Sequence, residues 1–139
     1  MPLIDSLIDP HSPQFAQNRA AMLEGIQHLR QLEQTLLGKA EEARPKFEKR
    51  GQLLPRERLN LLLDPGAPFL ELASLAGYKL HDDKDGSAAG GGLIAGIGYV
   101  SGVRMLVVAN NSSIKGGTVS PSGLKKSLRL QQILSLIHI

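Results

Sequence analysis

A polar, glycine-containing loop at residues 110–118 is the strongest candidate for a binding site in this sequence. It reads NNSSIKGGT and lies between a segment of strand length and a segment of helical pattern. The free N–H groups and the dipole of the following helix favour anions. Lys115 adds a positive charge, and Gly116 and Gly117 let a ligand approach the backbone. From the residues alone, a turn that only leads into the helix and a contact to a phosphate or pantetheine group are equally good interpretations.

Two other segments resemble ligand-binding motifs but depart from them at required positions. The glycine run 90–98, GGGLIAGIG, leads into a strand, whereas a dinucleotide fingerprint needs glycines at its first, third and sixth positions between a strand and a helix. The acidic run 81–86, HDDKDG, puts Gly92 at the twelfth position of a calcium loop, where a glutamate is required. We therefore expect glycines that allow close strand packing and an acidic surface turn.

The composition argues against several kinds of chemistry. The chain has no cysteine, which excludes disulfides, thiolate metal sites and a thiol nucleophile. The four histidines, at 11, 28, 81 and 138, form no pair at ligand spacing, so no metal site is predicted. The net charge is +3, but the bases around residues 44–50 are mixed with acids, which is typical of a solvated helix face and not of a nucleic-acid-binding stripe.

Targeting and membrane signals are missing from the sequence pattern. No apolar run approaches the roughly 20 residues that span a bilayer. The first dozen residues, with Asp5 and Asp9 among the apolar ones, match neither a secretory signal nor a transit peptide. We therefore expect a cytoplasmic protein of bacterial type, with no membrane or nucleic-acid partner.

The first half of the chain is predicted to be helical. Ser12 and Pro13 form an N-cap and first-turn pair, and the apolar spacing that follows predicts one long helix that ends at Gly38. We expect this helix to pack on a neighbouring subunit. Pro45 starts or kinks a second, charged segment, and Asp64-Pro65-Gly66 ends a third. The predicted helical ranges are 13–37, 41–50 and 55–63.

The second half changes to strand lengths from Phe69 onward. Two of the three predicted strands are joined at hairpin distance across Ser101-Gly102. Residues 79–91 are rich in Asp, Gly and Ser and are expected to form an exposed loop. A helix from about Pro121 should place its apolar residues Leu124, Leu128 and Ile133 on one side. The predicted strands are 69–72, 92–100 and 104–109.

Two consecutive segments resemble the start of the carboxyltransferase (β) subunits of biotin-dependent acyl-CoA carboxylases. They are residues 50–58, RGQLLPRER, and 61–72, LLLDPGAPFLEL. The resemblance covers roughly residues 40–133 and includes the 110–117 loop. Within the family, the run Ile114-Lys115-Gly116-Gly117 is similar to the branched enoyl type, the 3-methylcrotonyl-CoA and geranyl-CoA carboxylases. Residues 111–121 resemble the geranyl form more closely.

The resemblance implies an α/β fold: a crotonase-like (ClpP/crotonase) spiral of β-β-α units, present here only in part. A helical N-terminal arm at residues 1–39 precedes the start of the carboxyltransferase N-terminal domain at 40–133. Residues 134–139 depart from the family's pattern and resemble adapter read-through, so we expect a truncation or sequence-assembly artefact there and base no functional inference on this tail.

The resemblance also implies a reaction, in which CO2 passes from carboxybiotin to an enolate carbon of geranyl-CoA or 3-methylcrotonyl-CoA while backbone N–H groups hold the oxyanions.

The partners and site residues that the resemblance implies follow from this reaction. Biotin is carried by a biotinylated α subunit, and β subunits form a homo-oligomer. The oxyanion loops normally lie later in the family, so no catalytic residue is assigned. Lys115, Gly116 and Gly117 are expected to contact CoA. The alternative is a non-catalytic CoA-binding or oligomer-scaffold module.

Overall fold

The computed structural model describes residues 8–80 and 83–137. The chain divides into two compact units, Met1–Gln34 and Thr35–Ile139. Among the described residues, no helix has both the length and the apolar character needed to cross a membrane. The elements are α1 Pro13–Glu41, α2 Arg44–Glu48, α3 Pro55–Leu62, β1 Leu70–Glu71, β2 Leu93–Val100, β3 Val103–Asn110, a short 3-10 turn at Lys115–Gly117, and α4 Pro121–Ile137.

Helix α1 begins where the sequence predicts and ends later. Ser12 caps it, since the Ser12 hydroxyl accepts the Phe15 N–H at 3.2 Å and Pro13 occupies the first turn. The predicted end at Gly38 is wrong, because the Gly38 carbonyl accepts the Glu42 N–H at 3.1 Å and the helix continues to Glu41. No residue of α1 is buried.

Ion pairs connect the short helices α2 and α3. Arg44 donates to Glu41 at 2.8 Å and to Glu57 at 2.7 Å, and these two hydrogen-bonded carboxylates raise the pKa of Arg44. The second oxygen of Glu57 accepts the Leu54 N–H at 2.8 Å, which secures the first turn of α3 ahead of Pro55. Arg44, and then the Leu54 amide, lower the pKa of Glu57. The segment after α2 closes at Gly51, as predicted, with a φ of +65°.

The three strands form one antiparallel sheet in the order β1-β2-β3. The predicted hairpin across Ser101-Gly102 is confirmed, because the φ angles there are 52° and 76°, the positive values that tight hairpin turns require. Asp64, from the turn after α3, accepts the N–H groups of both turn residues at 2.7 Å. The α3 turn and the hairpin are therefore held together by one carboxylate.

The core lies around β2, whose first residues are buried. Ile94 and Ala95 are 2% and 0% exposed, whereas β3 is exposed or half-buried along its whole length. Gly98 of β2 faces Leu63, and a Cβ at Gly98 would lie only 2.7 Å from the Leu63 Cδ2. The predicted close packing of the glycine run agrees with this contact.

Helix α4 packs against the turn that precedes β2 through a face that the sequence did not predict. A Cβ on Gly91 would lie 2.6 Å from the Gly123 Cα, so the two backbones are in direct contact. The predicted apolar side is wrong, because Leu124 and Leu128 are 57% and 52% exposed. The buried positions at helical spacing are instead Gly123, Lys126 and Leu130.

Lys126 is buried because backbone carbonyls replace water around its ammonium group. Its Nζ donates to the Leu93 carbonyl at 2.7 Å and to the Gly90 carbonyl at 3.2 Å. Burial lowers the pKa of Lys126 to about 8, although the charge of Glu71 opposes this effect. A cation therefore fastens α4 to the turn that leads into β2.

The predicted exposed loop at residues 79–91 is partly buried. Asp83 is 4% exposed, and its carboxylate accepts the Lys79 N–H at 3.1 Å and the Ala88 N–H at 2.8 Å. Ala89 is 3% exposed. The expectation of an acidic surface turn therefore fails at Asp83, because backbone amides replace its water. Residues 81 and 82 of the rejected calcium motif lie outside the described residues.

Replacing Gly91 by alanine is expected to destabilise the protein more than replacing Gly102. Both positions have a positive φ, +66° and +76°, so both variants incur left-handed strain of about 1–2 kcal/mol. Only Gly91 also faces backbone at contact distance, and we expect about 1–3 kcal/mol more from overpacking there. Chemical denaturation followed by circular dichroism measures both free energies of unfolding. Equal losses in the two variants would contradict the packing role of Gly91.

Candidate functional site

The connection from β3 to α4 is a sharp turn followed by a capped helix start. Lys115, Gly116 and Gly117 have φ angles of 45°, 66° and 79°, three left-handed residues in succession. The left-handed region is unfavourable for a residue with a Cβ, so Lys115 is strained where the two glycines are not. Ser120 then caps α4, as its hydroxyl accepts the Gly123 N–H at 3.0 Å. The predicted helix start at Pro121 is confirmed.

Lys115 lines a cavity of about 210 Å³ at the N-terminal end of α4. The opposite wall comes from the 76–92 segment and includes the buried Asp83, whose carboxylate is held by backbone amides. Hydroxyl-bearing residues lie on the helix side of the cavity, among them Ser120 and Ser122. The cavity therefore combines a cation, hydroxyl groups and a helix N-terminus, which favour an anion, with the Asp83 carboxylate, which opposes one.

An acidic residue lies within electrostatic reach of Lys115. The pKa of Asp85 is lowered, mainly by the Ser87 hydroxyl and amide that bond to its carboxylate, and to a smaller extent by the charge of Lys115. Lys115 itself is exposed. The sequence left open that Lys115 only supports the turn, and the Asp85 carboxylate is a group with which it would do so. A test of Lys115 therefore has to distinguish this structural role from ligand binding.

Gly116 and Gly117 face a different hollow from Lys115. They line a groove of about 610 Å³ between α3 and β3, together with Leu59, Val107 and Ser112. A Cβ added to Gly116 would meet nothing within 4 Å, so the backbone there is open to a ligand. The sequence predicted Lys115, Gly116 and Gly117 as one site. The structure divides them between the two sides of a single turn.

Arg58 is the lining residue that the sequence reasoning missed. It belongs to α3 and lines the same groove as Gly116 and Gly117. A signal was present, because Arg58 and Leu62 are four residues apart and share a helix face, and Leu62 also lines the groove. The groups around this turn are of kinds that bind ligands: cations, hydroxyls, amides and apolar side chains. None of the residues named here forms a pair of a nucleophile and its general base.

Comparison with known proteins identifies the family of the chain. The family model described as Carboxyl transferase domain matches residues 46–136. The crystal structure of the Pseudomonas aeruginosa geranyl-CoA carboxylase β subunit is 68% identical, with a TM-score of 0.83 over 96% of this chain and 25% of that one. Two crystal structures of transcarboxylase 12S, 21% and 22% identical with a TM-score of 0.69, share the fold over 81% and 84% of this chain and 23% of theirs.

Curated relatives give the same assignment. The probable methylcrotonoyl-CoA carboxylase β chain of Drosophila melanogaster is 41% identical over 94% of this chain and 22% of its own length. The biotin-dependent 3-methylcrotonyl-coenzyme A carboxylase β1 subunit of Mycobacterium tuberculosis is 43% identical over 88% of this chain and 22% of its own. This chain thus spans about a quarter or less of these proteins.

The sequence resemblance and the expected fold are both confirmed by these comparisons. Helix, hairpin and helix occur in the order expected of a partial crotonase-like unit. The match extends over the turn at Lys115–Gly117 and over Arg58, both of which lie within residues 46–136. This chain therefore belongs to the carboxyl transferase domain family, as a partial crotonase-like domain similar to the β subunits of methylcrotonyl-CoA and geranyl-CoA carboxylases.

Proposed function

We propose that this chain supplies the acyl-CoA-binding start of a carboxyltransferase (β) subunit of a biotin-dependent acyl-CoA carboxylase. The observation that carries the proposal is the 68% identity to the Pseudomonas aeruginosa geranyl-CoA carboxylase β subunit over 96% of this chain. The relatives named for 3-methylcrotonyl-CoA carboxylase are 41% and 43% identical. Geranyl-CoA is therefore the first substrate candidate, and 3-methylcrotonyl-CoA is the second.

In the proposed reaction, CO2 passes from carboxybiotin to the enolate carbon of the acyl thioester. Biotin is carried by a biotinylated α subunit, and it supplies the activated CO2 when it is bound. The described residues of this chain act on the other substrate. Lys115 offers its ammonium group, and the backbone of Gly116, which is open, and of Gly117 lines the groove, for the phosphate and pantetheine parts of CoA. This chain thus binds and orients the acyl-CoA.

The proposal includes assembly and location. Oligomerisation of β subunits is supported by the hexamer assembly named for transcarboxylase 12S, which has the same fold. A cytoplasmic location is proposed for a bacterial-type enzyme, although the Drosophila melanogaster relative is named as mitochondrial. Cell fractionation with an antibody against the chain measures the location, and a signal confined to a membrane or organelle fraction would contradict it.

A chimera is the direct test of the proposed function. This chain replaces the matching quarter of the Pseudomonas aeruginosa geranyl-CoA carboxylase β subunit, and the chimera is combined with the α subunit of that enzyme. We expect labelled bicarbonate to enter geranyl-CoA faster than 3-methylcrotonyl-CoA. The isolated chain is expected to be inactive in the same assay, since the oxyanion loops are expected elsewhere in the family.

The outcomes of the chimera assay separate the two hypotheses made from the sequence. A chimera that assembles and binds acyl-CoA but carboxylates neither substrate would favour a CoA-binding or scaffold module over a carboxyltransferase part. Carboxylation by the isolated chain, above a control without protein, would contradict the expectation that this segment holds no catalytic residue. Size-exclusion chromatography of the chimera beside the parent β subunit controls for assembly.

Replacing Lys115 by methionine in the chimera is expected to raise the KM for acyl-CoA several-fold and leave kcat and the melting temperature nearly unchanged. One exposed cation–phosphate contact is worth on the order of 1 kcal/mol, and methionine keeps the chain length at the same strained φ. Lys125→Met, which removes an exposed cation from α4, is the matched control. An unaltered KM with a lower melting temperature in Lys115→Met would assign the residue to the turn and its neighbour Asp85.

A further inference from the structure

The charged residues of α3 differ in whether they have a partner. Arg56 makes two bonds to the Glu71 carboxylate, at 3.0 and 2.8 Å, and Glu57 is bound by Arg44 at 2.7 Å. Arg58 is exposed, and it makes no side-chain hydrogen bond or ion pair within residues 8–80 and 83–137. Of these neighbouring charges, the Arg58 guanidinium is the one that the folded chain leaves available to a ligand.

Arg58 stands where two hollows meet. The groove of about 610 Å³ between α3 and β3 and an adjoining hollow of about 430 Å³ near Phe47 share Arg58 and Ser112 as lining residues. A ligand that extends from one hollow into the other therefore passes between these two side chains. The volume of each hollow lies within the range of about 300–1,000 Å³ that is usual for ligand sites.

The lining of the groove is partly apolar and partly polar. Leu59 and Leu62 of α3 and Val107 and Val108 of β3 give it an apolar stretch. Arg58, Ser112 and the backbone of Gly116 and Gly117 add polar groups to the same lining. Such a groove fits a ligand that joins a phosphate group to an uncharged, extended arm, because a guanidinium pairs with phosphate through two parallel hydrogen bonds.

We propose that Arg58 binds a phosphate of CoA from the α3 side of the Gly116-Gly117 turn, with the pantetheine arm along the apolar walls between α3 and β3. The inference rests on the proposed function and extends it to a residue outside the 110–118 loop. Arg58 and Lys115 then flank one turn from two sides, each lining a different hollow. CoA is held by cations from two separate elements, and not by the loop alone.

The test measures equilibrium binding of CoA and of pantetheine, which lacks phosphate, to the 139-residue chain by calorimetry. We expect Arg58→Met to weaken CoA binding about three- to tenfold and to leave pantetheine binding unchanged. Arg58→Lys keeps the charge but loses the two-pronged geometry, so it should recover only part of the affinity. Arg104→Met removes an exposed arginine of β3 that lines neither hollow, and it should bind both ligands as the wild type does.

Four results would overturn the inference. Equal CoA affinities in wild type and Arg58→Met would remove Arg58 from the site while the proposed function stands. If Arg104→Met weakened CoA binding as much as Arg58→Met does, the effect would be general electrostatic attraction. If Arg58→Met also weakened pantetheine binding, Arg58 would contact the uncharged pantetheine arm and not a phosphate. Absence of CoA binding by the wild-type chain would also overturn it, whereas failure of the proposed function is read from the chimera assay. Circular dichroism spectra check that every variant is folded.

Discussion

The contact between Gly91 and Gly123 is the constraint on which the arrangement of the candidate site depends. Only residues without a Cβ let the turn before β2 touch the first turn of α4, and Lys126 then fastens that contact by donating to the Gly90 and Leu93 carbonyls. Because α4 is fixed there, the chain that leaves β3 has to reach Ser120 through a short connection. The left-handed turn at 115–117 lies in this connection, and it presents Lys115 and the open backbone of Gly116.

Pairing of charges decides which cations remain for a ligand. Arg44 and Arg56 form ion pairs with carboxylates of neighbouring elements, and Lys126 donates hydrogen bonds to backbone carbonyls in the core. These three cations hold the α2–α3 junction, β1 and α4 in place. Of the arginines of α2 and α3 named here, Arg58 is the one that lines the groove without an ion pair to the described residues, and Lys115 lines the separate cavity on the other side of the turn. Arg44, Arg56 and Lys126 thus stabilise the fold, whereas Arg58 is available to bind a ligand.

Elements with local signals could be predicted from the sequence. Ser101-Gly102 specifies a hairpin by its own backbone preference, and Pro55 begins α3 whatever surrounds it. The buried face of α4 could not be predicted in this way, because Gly123 and Lys126 face inward only in response to Gly91 and to two distant carbonyls. Burial of Asp83 has the same origin, since its partners are amides that only the folded loop brings together.

The candidate site also combines features that local sequence signals predict with features that depend on the folded arrangement. Lys115, Gly116 and Gly117 were found because their residue types carry the signal, but their separation into two hollows depends on where α3 lies. Arg58 was missed because its significance comes from having no acidic partner among residues 8–80 and 83–137, which only the folded arrangement of these residues shows.

The central claim is that the turn between β3 and α4 is a CoA-binding surface. The most direct measurement is a titration of the isotope-labelled chain with CoA, followed through backbone amide signals by NMR. We expect the signals of Ser112, Gly116 and Gly117 to shift with a common saturation curve, while those of the remote hairpin turn, Ser101 and Gly102, stay in place. Shifts spread evenly over the chain, or confined to the hairpin turn, would contradict it.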